Sequence, residues 1–152
     1  MKWVYYEQFE DIPVRTLYDI LKLRQDIFII EQDCIYEDID RLDLHSSHLV
    51  LFDEESLAGY SRLVPPGVKY DDISIGRIAI SQDYRNRGLG KELVQRSIRI
   101  AESAGFKRIR IEAQTYLNEF YRELGFRSDG DEYILDGIPH REMIWTASGK
   151  EE

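Results

Sequence analysis

The residues whose types and spacing point most directly to chemistry lie in a glycine-containing turn. The run Arg85-Asn86-Arg87-Gly88-Leu89-Gly90-Lys91 follows the apolar stretch 75–80 and opens a helical pattern. A helix start presents unpaired backbone N–H groups and the positive end of the helix dipole. Glycines let phosphates approach that backbone, and arginines add charge beside it. The turn therefore predicts a site for a small phosphorylated ligand.

Two better-known phosphate-binding motifs fail on single residues. A Walker loop needs Ser or Thr after Gly-Lys, whereas Glu92 follows Gly90-Lys91. The dinucleotide fingerprint needs a third glycine where Leu93 stands. Taken alone, the glycine pair is also compatible with a tight turn that carries solvated arginines.

Composition limits the classes of partner. The 152 residues carry a formal charge of −9, which argues against nucleic acid because phosphate backbones are bound by Lys and Arg. Residues 85–110 nevertheless hold eight basic and two acidic side chains, a local positive region suited to a small polyanion. No apolar run is long enough for a membrane span, so we expect no membrane partner. The single cysteine, Cys34, fits a reducing compartment, and we expect a cytoplasmic protein.

The elements that must position the turn follow from hydrophobic periodicity. The predicted elements are strands at 3–6, 48–52, 57–64, 73–80, 107–113, 133–135 and 143–145, with helices at 11–28, 88–104 and 115–124. Gly105 and Gly125 are expected to end the last two helices. Residues 31–47 lack a clear period and are expected to form a loop. The pattern predicts one mixed α/β (α+β) domain over 1–147 and a loose tail at 148–152.

A second motif gives the turn a more specific meaning. The strand at 107–113 leads to Phe120-Tyr121-Arg122-Glu123-Leu124-Gly125-Phe126. Together with the pattern Arg85-x-x-Gly88-x-Gly90, this resembles the coenzyme A motif of the GCN5-related N-acetyltransferases (GNAT). Residues 23–40, 113–114 and 136–140 resemble the ElaA-like branch of that family. The resemblance implies a central, mostly antiparallel twisted sheet, splayed between two parallel strands and flanked by helices.

The same resemblance implies acetyl-coenzyme A as co-substrate and assigns residues to it. In the family, pantetheine and the acyl thioester lie in the gap between the two parallel strands, while the turn cradles the pyrophosphate. The residues expected to contact the cofactor are Ile78, Ala79, Ile80, Arg85, Asn86, Arg87, Gly88, Leu89, Gly90, Lys91 and Asn118.

The resemblance also implies the catalytic groups. Tyr121 stands where the family has its general acid, and a phenol can protonate a leaving thiolate within hydrogen-bond reach. An ordinary core aromatic is the alternative role for Tyr121. Glu112, at the end of its strand, is the first candidate for the base that takes the amine proton, although a surface carboxylate remains an alternative.

The acceptor pocket is expected to involve the acid-rich segment 31–43. Six acidic residues against Arg41 would attract a cationic amine. The expected substrate-binding residues are Arg24, Glu31, Tyr36, Asp38 and His140. No metal site is expected, because His45 and His48 lack a third ligand at recognisable spacing and are interpreted as solvated or capping histidines. Cys34 is interpreted as a small buried residue or a pocket-lining one.

These observations predict an enzyme that transfers acetyl from acetyl-coenzyme A to an amine by direct attack in a ternary complex. The acceptor is a small molecule or a peptide, and a homodimer is possible. The alternative is a coenzyme A-binding sensor or scaffold without catalysis. The retained glycines and Tyr121 weigh against that alternative.

Overall fold

Eight strands form one sheet in the computed structural model, which describes residues 1–147. The strands are β1 (Lys2–Tyr6), β2 (Ser47–Asp53), β3 (Ser56–Val64), β4 (Ile73–Ile80), β5 (Arg108–Gln114), β6 (Phe126–Ser128), β7 (Tyr133–Leu135) and β8 (Ile138–Thr146). Their order is β1-β2-β3-β4-β5-β8-β6, with β7 paired to β8. Among these eight strands, only β4 and β5 pair in parallel. The predicted mixed fold is confirmed, while the predicted tail at 148–152 lies outside the described residues.

Three α-helices flank the sheet: α1 (Val14–Arg24), α2 (Leu89–Ser103) and α3 (Asn118–Glu123). The sequence predicted a single helix as far as Phe28, but α1 ends at Arg24 and continues as a π-helical turn, Gln25–Glu31. The wider turn is visible in the bond from the Gln32 N–H to the Ile27 carbonyl, five residues back, at 3.1 Å. Branched isoleucines at this point crowd a regular α-helix. Along residues 1–147, no helix is both long and apolar enough to cross a membrane.

Two apolar clusters hold the helices against opposite faces of the sheet. One cluster joins Val94 and Ile98 of α2 to Ile109 and Ile111 of β5, together with Tyr121 of α3. The other cluster packs α1 through Ile20 and Leu23 onto Val50, Tyr60 and Ala79. The buried positions of α2 are Leu93, Val94, Ser97, Ile98 and Ala101, and their spacing follows the period of an amphipathic helix.

The parallel strands β4 and β5 separate almost as soon as they meet. Their register contains only the pairs Ile73↔Ile109 and Ser74↔Arg110. A bulge in β4 accompanies the separation, since the partner of Tyr60 is Ala79 and the partner of Arg62 is Gly76. Arg77, inside the bulge, has a φ of 50°, which is unusual for a residue with a side chain. The rest of β4 is therefore free to form one wall of a gap.

Candidate active site

A cavity of about 190 Å³ occupies the gap between β4 and β5. Its β4 wall includes Ile75 and Ile78, and its β5 wall includes Ile111 and Glu112. Because side chains alternate along β5, Ile111 and Ala113 are buried while Glu112 faces the opposite side of the sheet. The cavity is thus lined by residues from both faces of the sheet.

Tyr121 reaches this cavity from α3. The residue is only 7% exposed, and its ring packs edge-on against Phe120 and Phe126 at centroid distances of 5.1 and 5.7 Å. The short helix ends at Gly125, whose φ of 100° turns the chain into β6. Burial raises the pKa of the Tyr121 hydroxyl above its ordinary value. The phenol therefore stays protonated at neutral pH, as a proton donor requires.

Glu112 lines the same cavity from β5 and is held by two donors. The Tyr133 hydroxyl donates to Oε2 at 2.6 Å, and Lys69 Nζ donates to Oε1 at 3.3 Å. Burial alone would raise the pKa of this carboxyl, but the Tyr133 hydrogen bond and the Lys69 charge lower it overall. Glu112 is therefore an ionised acceptor, although a weaker base than an unpaired carboxylate.

His140 is a second proton acceptor in the same cavity. Its Nδ1 lies 2.7 Å from the Ile138 carbonyl oxygen, which can only accept, so a neutral ring carries its proton on Nδ1. Nε2 then holds a lone pair. The ring stacks on Tyr133 at a centroid distance of 6.3 Å, which fixes its plane beside the partner of Glu112.

The predicted phosphate turn forms an open cradle at the start of α2. Asn86 and Gly88 both have positive φ values, 64° and 74°, a curvature that points successive N–H groups to one side. The first bond within the helix is donated by Glu92 to the Gly88 carbonyl, so the N–H groups of Leu89 and Gly90 have no intrahelical acceptor. A side-chain carbon added to Gly88 would meet nothing within 4 Å. This cradle fits a diphosphate.

The flanking cations have different roles. Arg85 forms a two-pronged pair with Glu31, in which Nη2 lies 2.7 Å from Oε1, and its Nε donates to the Ile80 carbonyl at 3.2 Å. Arg87 lies over the Tyr84 ring at 5.3 Å and is exposed with Lys91. Arg85 therefore ties the cradle to the π-helical turn, while Arg87 and Lys91 face solvent beside it.

Three arginines and three aspartates form a closed network beneath the cavity, which we name the charge ring. In order around the ring, the members are Arg24, Asp38, Arg77, Asp40, Arg62 and Asp43. The N···O distances lie between 2.6 and 3.1 Å. Burial alone would raise the carboxyl pKa of Asp40 and Asp43, but hydrogen bonds from Arg62 and Arg24 lower it overall. The ring ties the segment after α1 to β3 and β4.

The structure brings together only some of the predicted acceptor-site residues. Tyr36 and His140 line the cavity, and the Tyr36 hydroxyl donates to Asp38 at 2.7 Å. Arg24 and Asp38 are 1% and 6% exposed, belong to the charge ring and are not lining residues. Glu31 lies on the exposed surface with Arg85. Four of the six acids in segment 31–43 are thus paired with arginines rather than presented to an acceptor: three in the charge ring, and Glu31 with Arg85.

The cofactor residues divide in a similar way. Ile78 lines the cavity, whereas Ala79 is 2% exposed and packs towards α1. Asn118 is buried, and its amide donates to the Met143 sulfur at 3.4 Å. His48 is not solvated, because it is 1% exposed and its ring nitrogens bond the Tyr60 hydroxyl and the Asp43 carbonyl. The Asp43 carbonyl belongs to the short 3-10 helix Leu42–His45, so this contact agrees with the capping interpretation. In residues 1–147, no three potential ligands cluster around a metal position.

Sequence reasoning missed three basic residues of the cavity: Arg62, Lys69 and Arg77. A signal was present for two of them. Arg62 interrupts the apolar run of β3, and Arg77 stands inside the apolar stretch of β4. A charged residue in a buried strand requires a partner or a function. Cys34 lines the cavity, in agreement with one of its two interpretations.

Comparison with known proteins agrees with this geometry. A family model described as an acetyltransferase (GNAT) domain matches residues 24–147. An acyl-CoA N-acyltransferase from Pseudomonas aeruginosa superimposes with a TM-score of 0.90 and 32% identity, covering 95% of this chain and 99% of that one. A UPF0039 protein of Schizosaccharomyces pombe is 36% identical over 141 residues, which cover 91% of this chain and 93% of that protein.

The chain belongs to the GNAT acetyltransferase family. Within that family it is similar to ElaA of Escherichia coli, which is 31% identical over 141 residues, covering 88% of this chain and 92% of ElaA. The crystal structure of ElaA superimposes with a TM-score of 0.87, covering 95% of this chain and 98% of that one. These relationships indicate acyl transfer, for which proteins of this fold use an acyl-coenzyme A as co-substrate.

Proposed function

We propose that this protein transfers acetyl from acetyl-coenzyme A to a primary amine by direct attack in a ternary complex. The observation that carries this function is the cavity between the diverging strands β4 and β5, which Tyr121 and Glu112 line together. Donor and acceptor can then enter from opposite faces of the sheet. A cytoplasmic location and a homodimer remain predictions from the sequence.

The cradle and β4 together would hold acetyl-coenzyme A. The N–H groups of Leu89 and Gly90 would take the pyrophosphate, with Arg87 and Lys91 beside it. Backbone groups of Ile78 and Ile80 would bind the pantetheine arm. The bound co-substrate supplies a thioester whose carbonyl carbon is open to attack. Asn118 would hold the start of α3 against β8, through its hydrogen bond to the Met143 sulfur, rather than contact pantetheine.

Tyr121 and Glu112 divide the two proton transfers between them. The amine nitrogen forms a bond to the carbonyl carbon, the carbon–sulfur bond breaks, and the Tyr121 hydroxyl donates its proton to the departing thiolate. The proton released by the amine passes to Glu112, directly or through water. His140 Nε2 is the competing acceptor, and the Nδ1 bond to Ile138 is what makes it available.

The experiment that tests this function is thiol release from acetyl-coenzyme A across a panel of amines. We expect release that depends on the amine and a matching acetylated product found by mass spectrometry. The panel should include polyamines, aminoglycosides, amino acids and peptides, because the proposed function specifies only that the acceptor is a primary amine. Tight binding of acetyl-coenzyme A with no turnover on any acceptor would instead indicate a sensor or scaffold.

A further inference from the structure

Arg62 has one edge of its guanidinium that its neighbours leave unused. The end of the group is occupied, since Nη1 and Nη2 donate to the two carboxylate oxygens of Asp40 at 2.8 and 3.0 Å. Nη1 also donates to Asp43 at 3.0 Å. Nε, by contrast, is buried and has no hydrogen-bond partner among residues 1–147. The side edge formed by Nε and the second Nη2 proton therefore lacks an acceptor at Nε.

Arg62 borders the active-site cavity. Arg62 is 2% exposed and is nevertheless one of the residues that line the space between β4 and β5. A buried N–H without an acceptor costs free energy, so a ligand that supplies an oxygen there gains a favourable contact. The side edge of arginine matches the two oxygens of a carboxylate.

The charges of the cavity are arranged in two parts. The ring aspartates pair with arginines and are not lining residues, so the cavity meets the ring through Arg62 and Arg77. The second part of the lining is acidic and consists of Glu112 and Asp136, with Lys69 bonded to Glu112. A ligand with one anionic and one amine group would match both parts.

We infer that the acceptor is a small amine that also carries a carboxylate, which docks on the side edge of Arg62. This substrate class rests on the proposed function. A monoanion suits the site better than a phosphate dianion, because Asp40 and Asp43 lie within hydrogen-bond distance of the same guanidinium. A polyamine would leave Nε unpaired and bring positive charge against Arg62 and Arg77.

Matched amines that differ only by a carboxylate test this class on the wild-type protein. The pairs are 4-aminobutyrate with propylamine, lysine with cadaverine, and ornithine with putrescine. For the preferred pair, we expect kcat/KM from thiol release to be on the order of ten- to a hundredfold higher with the carboxylate, as charge-assisted hydrogen bonds provide. Equal or higher values for the decarboxylated amines would overturn the inference and leave acetyl transfer standing.

Substitution of Arg62 tests the residue. Arg62→Lys keeps the charge but removes the fork, so the ratio within the pair should fall towards one. Arg24→Lys disturbs the same charge ring from a position that does not line the cavity, and it should keep the wild-type ratio. A carboxylate preference that survives in Arg62→Lys would overturn the assignment.

If Arg62→Lys does not fold, a measurement on the wild-type protein still tests the docking edge. In the wild-type protein, the Nε–H resonance of Arg62 should shift on addition of 4-aminobutyrate and stay in place with propylamine. The opposite pattern, or no shift with either, counts against the docking edge. Absence of acetylation with every pair, while another amine of the wider panel is acetylated, would reject the substrate class alone. Absence of acetylation with every acceptor of the panel would reject the proposed function as well.

Discussion

Tyr121 decides at the residue scale whether the cavity is catalytic. Its hydroxyl is protonated and its side chain lines the cavity from α3, so Tyr121→Phe removes a proton donor with little change in packing. We expect kcat to fall roughly 10²–10⁴-fold, the usual contribution of a positioned acid. The measurement is steady-state thiol release at saturating acetyl-coenzyme A.

Tyr116→Phe is the matched control for that substitution. Tyr116 also lines the cavity but is 73% exposed and belongs to the short turn before α3. Its loss should leave kcat within about threefold of the wild type, the scatter expected of a surface change. A Tyr121→Phe protein that keeps full activity would restrict Tyr121 to a packing role.

Glu112 and His140 compete for the role of proton acceptor. If Glu112 takes the amine proton, Glu112→Gln lowers kcat by about 10²-fold or more, because the amide cannot accept that proton. His140→Gln should then cost far less. The comparison of kcat for the two variants, at a pH where the acceptor is largely a free amine, distinguishes them, and the reversed order would assign the base to His140.

The cradle at the start of α2 is tested at the scale of elements. Gly88→Ala forces a side chain into a left-handed backbone, which costs about 1–2 kcal/mol of stability. It also places a carbon where the pyrophosphate would lie. We expect the free energy of unfolding to fall by that amount and the Kd for coenzyme A to rise, as measured by denaturant titration and calorimetry.

Gly105→Ala separates strain from binding. Gly105, which ends the same helix, also has a positive φ, 95°, and open space around it. Its substitution should lower stability to a similar extent without changing the Kd for coenzyme A. Equal weakening of coenzyme A binding by both variants would mean that the Gly88 turn acts only through stability.

Local elements were predictable from the sequence, but their long-range partners were not. Hydrophobic periodicity and the two glycine stops correctly predicted α2, α3 and most strands. Insertion of β8 between β5 and β6, and the separation of β4 from β5, depend on contacts between distant segments. Periodicity alone carries no signal for such pairings.

In the candidate site too, local motifs were predictable from the sequence and long-range contacts were not. Tyr121 and the cradle lie on local motifs, so the sequence was sufficient to select them. The charge ring joins residues 14 to 39 positions apart, and its neutralisation of the acid-rich segment is invisible along the chain. For this reason Arg24 and Asp38 were predicted as substrate contacts, while the structure places them beneath the cavity.

At the scale of the whole molecule, one buried histidine makes stability depend on pH. Burial lowers the pKa of His48 below its ordinary value of 6.5, so the unfolded chain binds this proton first as pH falls. The stabilisation is complete above pH 6.5 and declines towards the folded-state pKa. As the pH falls below 6.5, the protonation of His48 should lower the free energy of unfolding by at most about 1.4 kcal/mol per pH unit.

Denaturant unfolding at a series of pH values measures that slope. His48→Gln should be less stable above pH 6.5 but show a flatter dependence below it. His45→Gln is the control, because His45 lies nearby on the exposed surface. An unchanged slope in His48→Gln would show that other groups carry the pH dependence.

The whole molecule must also bring donor and acceptor together at once. Tyr121 and Glu112 line one cavity, and the proposed direct transfer uses both of them in a single step. Cys34 lines the same cavity and is the nucleophile that a two-step route would use. Its sulfur contacts the Asp136 carbonyl at 3.5 Å, which supplies no base.

A single-turnover reaction with isotopically labelled acetyl-coenzyme A tests the central claim most directly. The protein is mixed with labelled donor, first alone and then with an accepted amine, and protein, thiol and product are quantified by mass spectrometry. Direct transfer predicts no label on the protein at either stage and one labelled N-acetyl product for each thiol released. Label that accumulates on the protein without amine and then moves into the product, or thiol release without an acetylated amine, would contradict it.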